Sequence, residues 1–159
     1  MKIIWLLTLL PAIAYSGWQG QVVGISDGDT LTVLTKQKQQ VKVRLVEIDA
    51  PEKKQAYGQQ AKKTLSALCY KETAIINESG QDKYGRTLAR VHCRGLDINA
   101  ELVKRGMAWA FVKYLTDPNI AALEEQARAQ KTGLWADTAP TAPWDFRHLP
   151  TATQGRKAH

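Results

Sequence analysis

The sequence predicts a small α+β domain in which about five strands form a closed or partly open barrel, with helices inserted and appended. Three observations predict it. Residues 19–48 carry β-rich apolar runs separated by polar turns, with a clear two-residue alternation in the last run. Helical apolar stripes follow that segment rather than alternating with it strand by strand. The length, 159 residues with 44% hydrophobic side chains, suits one domain able to bury a core.

The first strand signal is Val22-Val23, closed by the turn signal Ser26-Asp27-Gly28-Asp29. Leu31-Thr32-Val33-Leu34 is the second. Thr35 to Gln40 is a polar turn, and Val41, Val43 and Leu45 then alternate with Lys42 and Arg44. This alternation puts the three apolar residues on one face and presents Arg44 from the other. Ala61, Leu65 and Leu68 have the i, i+4, i+7 spacing of a helix over about 56–70. Thr73 to Ile76 and Arg86 to His92 read as two further strands, with Ser79-Gly80-Gln81-Asp82 as the turn between them. A second helix is predicted near 98–105, with Asp97 as N-cap and Gly106 after it. A third runs from Pro118 to Lys131, with Asp117 as N-cap and Gly133 as stop. After Trp135 the composition shifts to Thr, Ala and Pro. Residues 137–159 therefore read as a loosely attached tail, whose first half Trp144 and Phe146 could tie down.

The N-terminus bears on compartment. Met1-Lys2 precedes the apolar run Ile3 to Ala14, and Ala14-Tyr15-Ser16 offers small residues for cleavage, so residues 1–16 read as a secretory signal peptide. The run falls short of the ~20 apolar residues that span a bilayer, so no stable membrane insertion is expected after cleavage. Cleavage removes Lys2 and no acid, so the positive balance stays with the mature domain of residues 17–136 and its tail. In a periplasmic or secreted protein, two lone cysteines most often pair. Cys69 and Cys93 would close a loop of about 25 residues; two buried thiols are the alternative.

The net charge of +7 points to an anionic partner and does not identify it. Three clusters sharpen it: Asp27-Gly28-Asp29-Thr30, Arg44 with Asp49-Ala50-Pro51-Glu52, and Asp82-Lys83-Tyr84-Gly85-Arg86. Each alone is an ordinary turn or hairpin tip. Together they offer two carboxylates, Asp29 and Asp49, at the ends of strand segments that could be neighbours. Oxygen ligands without histidine or paired thiolates favour Ca²⁺ or Mg²⁺ over Zn²⁺, and Ca²⁺ is the more available outside the cytoplasm. Arg44 and Arg86 supply bidentate phosphate recognition. Glu52 is then a third carboxylate, free to orient or deprotonate a water.

In this order and spacing, the three clusters resemble the staphylococcal (micrococcal, thermonuclease) nuclease family. Similarity continues in Tyr57-Gly58, in Asn99 through Gly106, in Pro118-Asn119 and in Gly133-Leu134-Trp135. The resemblance implies an OB-fold, a five-stranded β-barrel with three α-helices. It implies a Ca²⁺-dependent phosphodiesterase that acts on DNA and RNA and leaves 3′-phosphates. Asp29 and Asp49 match the family's metal carboxylates, and Ala50 the position that lends a backbone carbonyl. Glu52 matches the proposed general base, and Arg44 and Arg86 the phosphate clamps. Asp27 matches a supporting acid behind the metal ligands, and Lys83 and Tyr84 match residues lining the nucleotide pocket. Phe111 aligns where a Tyr faces the nucleotide phosphate, which leaves it able to stack on a base but not to donate. A monomer is expected. A noncatalytic OB-fold module that binds nucleic acid is the rival reading. Such a module needs no clustered carboxylates, which repel phosphate.

Overall fold

Strand pairing follows the apolar periodicity closely. The structure is a computed structural model that describes residues 17–150 and Gln154; the predicted signal peptide, residues 1–16, lies outside the described residues. Five strands close the barrel: β1 (Trp18–Ile25), β2 (Thr30–Leu34), β3 (Gln40–Leu45), β5 (Thr73–Gln81) and β6 (Thr87–Cys93). The order β3-β2-β1-β5-β6 runs antiparallel, and a parallel pairing of β3 with β6 joins the two ends. Closure leaves these strands without a free edge over the paired stretch. Val22, Leu31, Val33, Val43, Leu45, Ile76, Ala89 and Val91 fill the interior and are fully buried.

Two short strands, β4 (Ile48–Asp49) and β8 (Trp109–Ala110), pair outside the barrel, and β7 (Leu96–Asp97) turns back to pair antiparallel with the end of β6. The helices sit close to their predicted spans. α1 is Gly58–Cys69 and buries Ala61, Leu65 and Leu68, the stripe read from spacing. α2 is Ile98–Lys104, and the Asp97 side chain accepts from the Ala100 N–H as its N-cap. α3 is Pro118–Ala129, with Asp117 capping through the Asn119 N–H and Pro118 in the first turn. It ends before the predicted Lys131.

A strand boundary differs as well. β5 continues through Ser79, Gly80 and Gln81, which had the composition of a turn. A register shift between Glu78 and Gly80 absorbs the extra residue. The reversal falls instead on Asp82 to Arg86, where Asp82 Oδ1 accepts from the N–H groups of Tyr84 and Arg86.

Cys69 at the end of α1 and Cys93 at the end of β6 form a disulfide, with Cα atoms 5.6 Å apart. Of the segment read as a tail, Pro143–His148 form α4. Ala142, Pro143 and Phe146 are buried there, and Trp144 lies 5.6 Å, centroid to centroid, from Trp109. Trp109, Trp135 and Trp144 thus anchor a second apolar cluster, with Arg128 stacked over the first two rings. Among the described residues no helix is long and apolar enough to cross a membrane.

Candidate active site

The site is built where β2, β3 and β4 meet the start of α1. Gly28 is required by close approach: a Cβ there would lie 2.6 Å from the Ala61 Cβ and 2.7 Å from the Ala50 Cβ. The turn before β2 therefore presses against both α1 and the segment after β4. That contact places Asp29 beside Ala50, and Asp29 Oδ2 accepts the Ala50 N–H at 2.8 Å. Gly58 plays the same part for the next loop, since a Cβ would collide with the Glu52 carbonyl oxygen.

Arg44 joins the two acids. The pairing of Thr30 with Arg44 across β2 and β3 sets its register. Its Nη2 lies 3.0 Å from Asp49 Oδ1 and 3.4 Å from Asp29 Oδ2. Its Nη1 donates to the carbonyls of Leu45 and Ile48. These backbone bonds fix the orientation of the guanidinium. Asp49 is only 2% exposed, and burial pushes its carboxyl upward against the opposing pull of Arg147 and Arg44. Asp27 is pushed up to about 6, first by burial and then by the Asp29 charge. It receives the Asp29 N–H, so it holds the turn from behind.

Glu52 follows in a short loop. Its N–H donates to Gln55 Oε1, and Gln55 Nε2 donates to the Thr141 carbonyl at 2.6 Å. The loop is thereby tied to the C-terminal segment. Arg147 from α4 completes the cluster, with Nη2 2.8 Å from Asp49 Oδ2 and Nη1 2.7 Å from Glu52 Oε1. Those bonds raise Arg147 well above the ordinary guanidinium range, against burial. Sequence reading missed Arg147, because no spacing signal links it to acids almost a hundred residues away.

Arg86 occupies the base of the β5–β6 hairpin, one residue before Thr87, which pairs with Val43. Its Nε donates to Asp82 Oδ2 at 2.7 Å. Burial opposes ionisation of Asp82, but the hydrogen bonds from Arg86 and Tyr84 outweigh it and hold the carboxyl below its usual range. Lys83 and Tyr84 form the exposed tip, Tyr84 being 71% exposed, and the Lys83 ammonium sits 5.1 Å from the Tyr84 ring centroid. Phe111 stacks on Trp144.

A second element missed by sequence reading supports the site from behind. Glu47, 6% exposed and at φ 65°, accepts from the Thr116 N–H and hydroxyl, the Asp117 N–H and Arg90. Burial would raise this carboxyl, yet the four donors hold it below its usual range. Asn99, fully buried, accepts the Val91 N–H and donates to the Val46 carbonyl, pinning the turn that leads into β4.

Two buried carboxylates with a backbone segment between them suit a hard cation that keeps several waters. Among the described residues, no group of three or more His, Cys, Asp or Glu converges as a complete metal centre. Asp29, Asp49 and the Ala50 carbonyl are the candidates for the protein's share of such a site.

Residues 42–137 match the model of the family described as staphylococcal nuclease homologue. An uncharacterized endonuclease of Haemophilus influenzae is 48% identical over 146 residues, covering 92% of this chain and 82% of that protein. Protein ParB of Escherichia coli is 40% identical over 84% of this chain and 81% of its own length. A micrococcal nuclease of Shigella flexneri is 39% identical over 84% of this chain and 83% of its own length. With the closed barrel, the Arg44-bridged carboxylates and this coverage together, the chain belongs to the staphylococcal nuclease family.

Proposed function

We propose that this chain is an exported Ca²⁺-dependent nuclease that hydrolyses the phosphodiester bonds of DNA and RNA and leaves 3′-phosphate ends. Its family is one of phosphodiester hydrolases, and relatives carry the names endonuclease and micrococcal nuclease. The observation that carries the reading is the meeting of Asp29 and Asp49 at Arg44, with Glu52 joined to Asp49 through Arg147. A structural role alone explains it poorly, because buried like charges destabilise a fold.

Asp29, Asp49 and the Ala50 carbonyl would hold the cation. When bound, it neutralises negative charge that develops on the phosphoryl oxygens. Arg44 is preorganised by its backbone bonds and donates to one non-bridging oxygen; Arg86 donates to another. Glu52 accepts a proton from water as the water oxygen attacks phosphorus. The bond from phosphorus to the 5′ oxygen breaks, that oxygen takes a proton from bulk water, to which Glu52 returns the one it accepted, and the phosphate stays on the 3′ side. Lys83 and Tyr84 line the nucleotide side, with Phe111 further out. Phosphate-dominated contacts of this kind distinguish neither base nor sugar. Asp27 keeps Asp29 in place. The Cys69–Cys93 disulfide supports an oxidising compartment, periplasmic or extracellular. The active unit is a monomer.

The test is a nuclease assay on single-stranded DNA and on RNA, with millimolar Ca²⁺ or with a chelator, followed by analysis of product ends. Degradation only with Ca²⁺, with 3′-phosphate termini, is expected. Tight, metal-independent retention of intact DNA would instead make the domain a noncatalytic binder.

A further inference from the structure

Arg147 is delivered to the carboxylates by a built structure. Gln55 fastens the Thr141 carbonyl, Ala142, Pro143 and Phe146 are buried, and Trp144 packs against Trp109 and Phe111. These anchors hold α4 by residues other than Arg147. The Arg147 side chain itself is 42% exposed, against 2% for Asp49. It can therefore rotate outward without unpacking the helix that carries it.

Its two contacts fall on the groups that the reaction needs. Arg44 engages Asp49 Oδ1 and Arg147 engages Asp49 Oδ2, so both oxygens of the more buried acid are occupied by guanidinium groups. The second fork nitrogen engages Glu52 Oε1. A cation held through Asp49 needs one of those oxygens, and a divalent ion repels a guanidinium at the same carboxylate. Glu52 can take a proton from water only once a charged donor no longer holds its oxygen. A planar fork suited to carboxylate is equally suited to phosphate.

We propose that Arg147 is a displaceable internal counter-ion: it caps Asp49 and Glu52 while cation and nucleic acid are absent, and transfers to a substrate phosphate when they bind. This rests on the reading of Asp49 as a cation ligand and Glu52 as the water-activating group. Cation binding and the Arg147 pair are then mutually exclusive, and substrate favours cation binding by giving Arg147 another partner. The device uses a helix that lies beyond the family-matched residues 42–137.

The experiment is calorimetric titration of the full mature chain with Ca²⁺ alone, for wild type, Arg147→Gln and Arg147→Lys, alongside kinetics on DNA at saturating Ca²⁺. Arg147→Gln should bind Ca²⁺ at least ~5-fold more tightly than wild type, because a competing charge is gone. Arg147→Lys keeps the charge and should bind Ca²⁺ within about twofold of wild type, while losing the fork. Both variants should lose ~10-fold or more in kcat/KM at saturating Ca²⁺ through weaker phosphate contact. Unchanged Ca²⁺ affinity in Arg147→Gln, or an unchanged or higher kcat/KM at saturation, overturns the inference. A purely structural ion pair would lower the melting temperature and leave Ca²⁺ affinity alone. Failure of both wild type and Arg147→Gln to bind Ca²⁺ would instead overturn the proposed function, and this inference with it.

Discussion

Trp144 stacks on Phe111 with ring centroids 5.5 Å apart and planes only 8° apart. The contact joins the C-terminal helix to the strand-and-turn segment after β8. It covers one face of the Phe111 ring, which also meets the Tyr114 ring edge-on at 4.9 Å. Trp144→Ala should release α4 and lower unfolding free energy by about 2 kcal/mol, less than a fully buried Trp because Trp144 is only partly buried. Urea denaturation measures it. Retention of full stability would show that the other anchors, Ala142, Pro143, Phe146 and the Gln55–Thr141 bond, hold the helix without Trp144.

The carboxylate Glu52 and the guanidinium of Arg86 are the two groups whose loss should separate chemistry from folding. Glu52→Gln should lower kcat by ~10²–10⁴-fold, the range for a general base. Arg86→Ala should lower it by ~10²–10³-fold, the range for a donor to developing charge. Both side chains are partly exposed, so circular dichroism and melting temperature should stay near wild type. Unfolding of either variant would assign it a structural role.

Glu47 holds the segment 116–117 through three donors while its side chain pairs with Arg90. Glu47→Ala should cost about 3 kcal/mol, because it leaves the N–H groups of Thr116 and Asp117 and the Thr116 hydroxyl without their acceptor, while Arg90 keeps Asp97 and Asp117. Chemical denaturation at neutral pH checks the magnitude.

The same residue gives a pH signature. Glu47 and Asp117 both titrate below their usual range in the folded protein. For Asp117 the Asn119 N–H is the first cause; for Glu47 the Thr116 and Asp117 donors and Arg90 overcome burial. Depressed carboxyl groups stabilise the fold above their unfolded values, near 4, and that stability is lost as pH falls through the folded values. Wild type should therefore lose stability steeply below about pH 4, and Glu47→Gln should show a shallower acid limb. Parallel limbs in thermal melts from pH 6 to pH 2 would refute the assignment.

Reduction tests the remaining covalent tie. Breaking Cys69–Cys93, or replacing both residues by Ala, should remove about 3 kcal/mol for a loop of this length. The cysteines lie at the ends of α1 and β6, outside the carboxylate cluster, so turnover below the melting temperature should persist. Activity assayed with and without a reductant distinguishes the two effects.

The strand faces of β2 and β3, the α1 stripe and the caps Asp97 and Asp117 were all legible in sequence. Each is a local pattern, written within one or two turns of chain by side-chain period or by a cap hydrogen bond. The β5 boundary was not, because a bulge at Gly80 lets turn-like residues continue a strand. The resemblance picked out Asp29, Arg44, Asp49 and Glu52, and sequence alone could say only that the strands bearing them might be neighbours. Their convergence depends on contacts that no local pattern encodes: Gly28 against Ala61, the parallel β3–β6 seam, and Asn99 between β6 and the turn after β3. The basic excess was likewise visible from composition, but which arginine faces which acid was not. Arg147 lies in a segment whose Thr, Ala and Pro content carries no periodic signal. Only the packing of Trp144 and Phe146 brings it across the fold to Asp49 and Glu52. Sequence by itself determined the elements and the inventory of charges. Tertiary structure decided the pairings, because a charge pair between residues nearly a hundred positions apart depends on how apolar surfaces close, not on either residue's neighbours in the chain.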